Sequence, residues 1–336
     1  MRMTVLASGS KGNSTLIASS RTRILVDAGL SARELTKRMR MAGETPEALD
    51  ALLITHEHQD HVQGVAVLAR KLGIPVYFTE ATHRAWMRWM MPQKRLTYAG
   101  WLAQRALQAS TSRSAAEADT NIAICSPDGD SESAGPIAAS VEPESAAPRP
   151  EAELECEARD GAEEKENPCA LAFVEHFAAG NGFSIGDISV TPFTIPHDAA
   201  DPVGFVFQAE GIRVGIATDL GYMPPNVTAA LRRCDILMLE SNHDLEMLRD
   251  GPYPWQVKQR VMSRVGHLSN DAAAKFLEKE YDGSASYVVL AHLSEKNNMP
   301  ELARVAAERA IGARASLLAN KVLLAEQSAP LETLCL

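Results

Sequence analysis

The fold is decided by one stretch of this 336-residue sequence, the heptapeptide Thr55-His56-Glu57-His58-Gln59-Asp60-His61, which directly follows the apolar run Leu52-Leu53-Ile54. Side chains alternate along a strand, so His56 and His58 leave the strand end on the same side. The turn that follows lets Asp60 and His61 face a second ion. The stretch therefore predicts a loop that holds two metal ions in a hydrolase.

Length and composition predict a globular protein. The chain has room for one large or two ordinary domains, and a hydrophobic content of 46% is enough to bury a substantial core. No apolar stretch approaches the roughly 20 residues of a membrane-spanning helix. The N-terminus runs into a strand-like segment without a signal-type region, which predicts a cytoplasmic protein with no membrane partner. The five cysteines are scattered, which predicts free thiols.

The acidic charge of the chain is concentrated in one segment. Residues 110–168 contain 15 acidic and 4 basic residues, whereas the formal net charge of the whole chain is −10. This segment is rich in Ala, Ser, Glu and Pro, so it cannot bury enough surface to offset the entropy lost on ordering. We predict a disordered acidic insert at 108–168 and one hydrolase domain formed by 1–107 and 169–336. A role in shielding a nucleic-acid groove is the alternative.

Outside the insert, predicted strands and helices alternate in two similar blocks. The first block has strands at 4–7, 14–18, 22–26, 51–54 and 75–78 and a helix at 63–72. The second has strands at 183–192, 204–209, 212–218, 236–240 and 287–291, a hairpin turn at Glu210-Gly211, and helices at 270–280 and 300–311. Two sheets with helices outside predict an α/β (α+β) fold, a four-layer αββα sandwich.

A site for two ions needs ligands beyond the heptapeptide. Three candidates each follow an apolar strand: His197, Asp219 and His292. Side chains at the ends of separate strands can meet at the rim of a sheet. Taken singly, each residue could have a capping or core role, but as a set they complete the number of ligands that two ions require.

The pattern H-x-H-x-D-H, followed by a later His, an Asp that closes a strand and a final His, resembles the metallo-β-lactamase superfamily. The resemblance covers nearly all of the chain apart from the insert. Five further strings resemble the YycJ/WalJ-type branch, namely LASGSKGN (6–13), PHDAADPVGF (196–205), LESNHD (239–244), GHLSN (266–270) and HLSEKNN (292–298). Members of that branch are metal-dependent nucleases that act on DNA.

The resemblance implies a role for each candidate. One ion would be held by His56, His58 and His197, the other by Asp60, His61 and His292, and Asp219 would bridge them. Asp60 would also orient the attacking hydroxide. His267 resembles the phosphate-side histidine of the related tRNA-processing nucleases, with Glu240 as its orienting carboxylate. The alternative for His267 is a place beside the cap of the following helix.

The predicted charge of the site favours an anionic substrate. Two divalent cations, less Asp60, Asp219 and a shared hydroxide, leave about +1 when the histidines are neutral. A phosphodiester suits that charge, and the shared hydroxide would be placed for in-line attack. The ligand set does not choose between zinc and manganese.

Other polar residues are weaker candidates. Ser8, Ser10 and Asn13 belong to a small-residue loop that either holds a phosphate or makes a tight turn, and His243 either lines the cleft or bonds its own loop. We predict substrate contacts for these four residues. Lys258 and Arg260 contact a nucleic-acid backbone or lie on a solvated helix face. Asp27 is expected to fix the turn beside the metal loop.

Three functions remain open from the sequence. The first is a DNA exonuclease or broader phosphodiesterase, and the second is a thioester or lactam hydrolase that uses the same ions on a carbonyl group. The third is a non-catalytic metal-binding protein, which would be expected to have lost ligands. No ligand of the expected set is missing, which favours an enzyme. Oligomeric state is not predicted.

Overall fold

Two mixed seven-stranded sheets form the centre of the protein. The structure, a computed structural model, describes residues 1–91, 102, 170–312 and 320–336. The first sheet has the order β14-β1-β2-β3-β4-β5-β6. Its strands are β1 (Arg2–Ala7), β2 (Ser14–Ala18), β3 (Arg23–Val26), β4 (Ala51–Leu53), β5 (Val76–Thr79), β6 (Val174–Phe177) and β14 (Leu334–Cys335). The strands from β3 to β6 are parallel, and the pairs from β14 to β3 are antiparallel.

The second sheet has the order β13-β12-β11-β10-β9-β8-β7. Its strands are β7 (Phe183–Ile185), β8 (Ile188–Thr194), β9 (Val203–Ala209), β10 (Ile212–Ala217), β11 (Ile236–Glu240), β12 (Tyr287–Ala291) and β13 (Lys321–Leu324). The strands from β10 to β13 are parallel, so their carboxyl ends meet at one edge. Glu240 is the last residue of β11, and Asp219 and His292 come shortly after β10 and β12, so all three lie at that edge.

Helices cover the outer faces of both sheets. The first group is α1 (Ala32–Met41), a 3₁₀ turn (Pro46–Ala48), α2 (Gln59–Val62), α3 (Val65–Leu72) and α4 (Glu80–Met90). The second is α5 (Pro225–Ala230), α6 (Leu245–Asp250), α7 (Trp255–Val261), α8 (Asn270–Lys279) and α9 (Pro300–Gly312). Within the described ranges, none of the helices combines the length and the apolar character needed to cross a bilayer.

Three apolar clusters hold the layers together. The first lies between the sheets and joins strands of both, including Ile24 of β3 and Phe205 of β9. The second packs helices on the first sheet through Leu35 and Trp86, and the third packs helices on the second sheet through residues such as Phe276. Each fully buried large apolar side chain contributes roughly 1.5–3 kcal/mol. The layer order is helix, sheet, sheet, helix, which confirms the predicted αββα sandwich.

Several elements differ from the sequence-based expectation. The predicted strand at 183–192 is wrong as one strand, because Gly186 has a φ of +55° and turns the chain between β7 and β8. The predicted helix at 63–72 is present as α3 but begins at Val65, after Gly64, whose N–H donates to the backbone oxygen of Ala28. Helix α1 was not predicted, because its surface is dense with charge although Leu35 and Met39 are buried. The boundaries of the acidic insert at 108–168 lie outside the described residues.

One close backbone approach fixes the metal loop. A Cβ atom at Gly29 would lie 1.7 Å from the backbone oxygen of Asp60 and 2.5 Å from the nitrogen of Asn13. Glycine leaves room for the Asn13 N–H to donate to Asp60 O at 2.7 Å and for the Gly29 N–H to donate to Asn13 O at 2.9 Å. The carboxylate of Asp60 is therefore placed by a contact that only glycine permits.

Replacing Gly29 with Ala is predicted to displace this loop. The added methyl group has a backbone oxygen in its way, so we expect the free energy of unfolding to fall by about 3 kcal/mol or more. Urea denaturation measures this loss. Gly312→Ala is the matched control, since a Cβ there meets none of the described residues within 4 Å. Equal stability of the two variants would contradict the argument.

Candidate metal centre

The seven predicted ligand side chains lie together at one end of the sandwich. The heptapeptide follows β4. The imidazole rings of His56 and His61 are fully buried, and their centroids are 4.0 Å apart. His197 follows β8, Asp219 follows β10 and His292 follows β12. Loops from the ends of strands in both sheets therefore build a single site.

One group of three imidazoles is formed by His56, His58 and His197. The Nδ1 atom of His58 lies 3.2 Å from Nε2 of His197. One nitrogen from each of the three rings lies within 4.8 Å of the others, a spacing that one metal ion could fill. His197 also has its Nδ1 atom 3.2 Å from the backbone oxygen of Gly266, which fixes its ring with Nε2 toward the other two.

A second group is formed by Asp60, His61 and His292. The Oδ2 atom of Asp60 lies 3.6 Å from Nε2 of His61 and 3.6 Å from Nε2 of His292. Asp219 lies between the two groups, and its Oδ2 is 3.4 Å from Nε2 of His61. Asp219, His56 and His61 form a further possible ligand group, in which one atom of each residue lies within 4.8 Å of the others. Its two oxygens can therefore serve both groups.

Buried atoms without partners support metal binding at these positions. Three buried atoms of the predicted ligands have no hydrogen-bond partner among the described residues. They are Nε2 of His56, Nε2 of His292 and Oδ2 of Asp219. A buried polar atom left unpaired costs about 1–3 kcal/mol. Imidazole nitrogens and carboxylate oxygens that converge in this way fit a divalent cation.

The protonation of the site follows from its dense charge. Burial lowers the pKa of His61, but the nearby carboxylates, Asp219 and Asp27 foremost, outweigh it and raise the pKa to about 9. Burial likewise opposes protonation of His292, yet Asp219 and other carboxylates hold its pKa well above the usual value. His56 is different, because burial and neighbouring imidazoles push its pKa far down. Protons thus occupy the side of the site that has the carboxylates.

Asp27 orients the ring of His61. Its carboxylate accepts hydrogen bonds from the backbone N–H of Thr55 at 2.9 Å and from the Thr55 hydroxyl, and its Oδ2 lies 2.8 Å from His61 Nδ1. With Nδ1–H donating to Asp27, Nε2 is left facing Asp60 and Asp219. The expected role of Asp27, fixing the turn beside the metal loop, is the one its contacts describe.

Glu240 connects two histidines. It is fully buried, and its Oε1 lies 2.8 Å from Nδ1 of His267 and 2.9 Å from Nδ1 of His292. Its other oxygen accepts from the backbone N–H of Leu220 at 2.8 Å and of Leu268 at 3.2 Å. The predicted pairing of Glu240 with His267 is present. The contact with His292 was missed, because sequence spacing does not reveal a carboxylate shared across two strands.

The backbone of His292 is clamped on both sides. Its N–H donates to the hydroxyl of Ser8 at 2.7 Å, and its carbonyl accepts from Nδ2 of Asn242 at 2.8 Å. His292 has a φ of +56°, a left-handed conformation that is costly for a side chain with a Cβ. Ser8, predicted to bind substrate, is buried and holds a metal-site residue in place.

The other predicted substrate contacts occupy different positions. Ser10 lines the cleft over the site. Asn13 is buried, and its Nδ2 lies 3.2 Å from Oδ2 of Asp60 and 3.0 Å from Nε2 of His61, so it contacts the metal site directly. His243 is buried, does not line the cleft, and has no hydrogen-bond partner for Nδ1 among the described residues.

A cleft of about 340 Å³ opens above the site. Its walls include Asp60, His197, Asp219, His267 and His292, together with a stretch of α7. His267 has a side chain that is 22% exposed, with Nδ1 3.8 Å from Asp219 Oδ1, so it lies beside the metal site and in contact with the cleft. The cleft therefore admits a substrate to the ligand groups from one side.

Family comparisons agree with the sandwich and its ligand-bearing loops. A model of the Metallo-beta-lactamase superfamily matches residues 7–118, and a model of the Beta-lactamase superfamily domain matches residues 146–293. The Bacillus subtilis protein YhfI, a metallo-beta-lactamase fold protein, has a structure with a TM-score of 0.57 at 13% identity, which covers 98% of this chain and 99% of that one. The class of protein is thus defined by fold and site together.

Two relatives are similar over most of their length. Exodeoxyribonuclease WalJ of Streptococcus pneumoniae is 30% identical over 304 residues, which cover 90% of this chain and 86% of WalJ. Exodeoxyribonuclease YycJ of Bacillus anthracis is 29% identical over 311 residues, which cover 93% of this chain and 89% of YycJ. The chain belongs to the metallo-β-lactamase superfamily and, within it, to the family of WalJ and YycJ, which confirms the resemblance found in the sequence.

Asp27→Asn is predicted to weaken metal binding without unfolding the protein. The amide keeps the volume but not the charge that orients His61, and loss of such an outer partner typically costs 10–100-fold in metal affinity. Competition with a fluorescent chelator measures the affinity. Asp271→Asn, an exposed carboxylate on α8, is the control and should bind metal as the parent does. Unchanged affinity in Asp27→Asn would refute the proposed orientation of His61.

Metal binding is also predicted to release protons. The raised pKa values of His61, about 9, and of His292 mean that both are protonated near neutral pH in the metal-free protein. An ion must displace these protons, so apparent affinity rises with pH and levels off once pH has passed the pKa of both histidines. Calorimetry in buffers of different ionisation enthalpy should show about two protons released near pH 7 and fewer near pH 10. Affinity independent of pH would contradict it.

Proposed function

We propose that this protein is a metal-dependent phosphodiesterase that degrades DNA as an exonuclease. The observation that carries the proposal is the complete ligand set beneath an open cleft, with His267 beside it, in a chain whose full-length relatives have the name exodeoxyribonuclease. A fold alone does not define a reaction, so the site bears the argument. A DNA substrate, in the cytoplasm predicted from the sequence, is part of the proposal.

The proposal includes two divalent ions, zinc or manganese. His56, His58 and His197 would hold one, Asp60, His61 and His292 the other, and Asp219 would contact both. When bound, the ions polarise a phosphodiester and lower the pKa of bound water, which supplies a nucleophile near neutral pH. The imidazole-rich group suits zinc, and the mixed carboxylate and imidazole group suits either metal.

His267 is proposed as the group that protonates the leaving oxygen. Because its Nδ1 is tied to Glu240 at 2.8 Å, the Nε2 nitrogen is the one left to reach the substrate in the cleft. A buried carboxylate at Nδ1 fixes the ring plane and leaves Nε2 for the substrate. His267 and Glu240 together thus hold a proton at a defined atom until the phosphodiester bond breaks.

Asp60 is proposed to orient the attacking oxygen. Its Oδ2 accepts from Nδ2 of Asn13 at 3.2 Å, and the Asp60 backbone oxygen accepts from the Asn13 N–H. Burial raises the pKa of this carboxyl, but His61 and His292 outweigh the effect and keep it low, so Asp60 is ionised at neutral pH. An ionised carboxylate accepts a hydrogen bond from water and fixes its direction.

Asp219→Ala is predicted to abolish DNA degradation, and His267→Ala to lower kcat by 10²–10⁴-fold with little loss of bound metal. The first removes the residue between both ligand groups, whereas the second removes only the proton donor. Both effects are measured with the full-length protein loaded with zinc or manganese. The assay follows degradation of 5′-labelled single-stranded and duplex DNA. His176→Ala removes an exposed imidazole outside the cleft and is the matched control.

The same assay separates the other two functions. A thioester and a cyclic phosphodiester are tested beside the DNA. Turnover of the thioester alone would make the protein a thioester hydrolase, and no turnover of any substrate by metal-loaded protein would make it a metal-binding protein without catalysis. Each outcome contradicts the exonuclease proposal.

A further inference from the structure

We infer that Arg260 binds a phosphate of the DNA strand next to the one that is cleaved. This inference rests on the proposed function, and it goes further by naming a polynucleotide contact outside the metal site. Arg260 lies on α7, where it lines the cleft together with Val257 and Val261. These two valines cover one side of the cleft, so the guanidinium is the polar group that α7 presents to a bound strand.

The sequence predicted that Lys258 and Arg260 of this helix could contact a nucleic-acid backbone, and the structure gives the two side chains different positions. Lys258 is buried, and its Nζ donates to the backbone oxygen of Arg249 at 2.6 Å, so it holds α7 against the C-terminal end of α6. The side chain of Arg260 is 65% exposed and reaches the cleft. Of the two, only Arg260 is available to a ligand.

Arg260 is anchored beside a predicted metal ligand. Its Nε donates to Oδ2 of Asp198, the residue that directly follows His197. Asp198 is itself held by its backbone N–H, which donates to the carbonyl of Val265 at 3.1 Å. The two terminal amino groups of Arg260 have no hydrogen-bond partner in the described part of the chain. A guanidinium fixed at Nε with its two terminal amino groups open matches the geometry of a phosphate.

The charges of the residues that line the cleft also support this role for Arg260. The described lining contains three carboxylates, Asp60, Asp198 and Asp219, and a single Lys or Arg side chain, that of Arg260. Asp60 and Asp219 would face the metal ions, whereas Asp198 would face the DNA and repel it. Arg260 neutralises that charge through Nε and leaves its two terminal amino groups to donate to a second phosphate, which a polynucleotide has and a single phosphodiester lacks.

The competing explanation is an ion pair that only fixes the loop of His197. Such a structural role would affect every substrate equally, since it would act through the metal site. A phosphate contact would affect only substrates with more than one phosphate, and it would appear in the dependence on salt. The two explanations therefore differ in measurable ways.

The experiment compares full-length parent, Arg260→Gln, Arg260→Lys and Arg249→Gln proteins, all loaded with metal. Arg249 is a close control, because its side chain is also 65% exposed and its Nε is also bonded to an aspartate, Asp250. Initial rates are measured on a single-stranded oligonucleotide over a range of salt concentrations and on bis(p-nitrophenyl) phosphate, which has one phosphate.

For Arg260→Gln we expect KM for the oligonucleotide to rise roughly tenfold with kcat nearly unchanged, as for loss of one charged hydrogen-bonded contact. The slope of log(1/KM) against log salt should become shallower by about 0.7, the value for one phosphate contact on a single strand. Arg260→Lys should keep the slope and show an intermediate KM, because lysine keeps the positive charge but lacks the paired N–H donors of a guanidinium. Activity on bis(p-nitrophenyl) phosphate should stay at the parent value in both.

Two outcomes would overturn the inference while leaving the exonuclease in place. One is an Arg260→Gln protein with the parent KM and salt slope on the oligonucleotide. The other is an equal loss on both substrates, which would assign Arg260 to the structural ion pair. A parent protein that does not degrade the oligonucleotide would refute the proposed function itself, and the phosphate contact with it.

Discussion

A continuous chain of alternating carboxylates and imidazoles is the interaction on which the site depends. It runs from Asp27 to His61, Asp219, His292, Glu240 and His267, with successive nitrogen–oxygen distances of 2.8, 3.4, 3.2, 2.9 and 2.8 Å. A buried carboxylate or a buried imidazolium alone would cost several kcal/mol, but each member here faces groups of opposite charge. Removing an inner member would take one partner of opposite charge from each of its two neighbours, so the site is held as a unit.

The backbone is arranged to bring this chain together. Three of its members, Asp27, Asp219 and His292, have φ values of +59°, +60° and +56°. Asp27 and His292 directly follow the end of a strand and Asp219 comes two residues after one, so a left-handed residue turns the chain near the end of each strand. Such conformations persist only where the surroundings fix them. The hydrogen bonds of Ser8 and Asn242 to both backbone groups of His292 are a clear instance.

The sequence predicted the layers and the ligand set because both leave local signals. Alternating apolar strands predict sheets, and the polar residue after each strand predicted the edge where His197, Asp219 and His292 meet. What the sequence did not reveal depends on distance in space. The second contact of Glu240 joins residues 52 positions apart, and Lys258 and Arg260 have the same chemistry until the packing of α7 buries one of them. The turn at Gly186 was missed because apolar residues continue on both sides of it.

The division of the ligands between the two sheets has a consequence during synthesis. His56, His58, Asp60 and His61 belong to the first sheet, whereas His292 follows the twelfth strand, and the short strand β14 near Cys335 pairs back with β1. A ribosome-bound chain that has emerged only as far as β6 has four of the seven ligand residues. The set of ligands is therefore complete only after His292 has been synthesised and β12 has joined the second sheet.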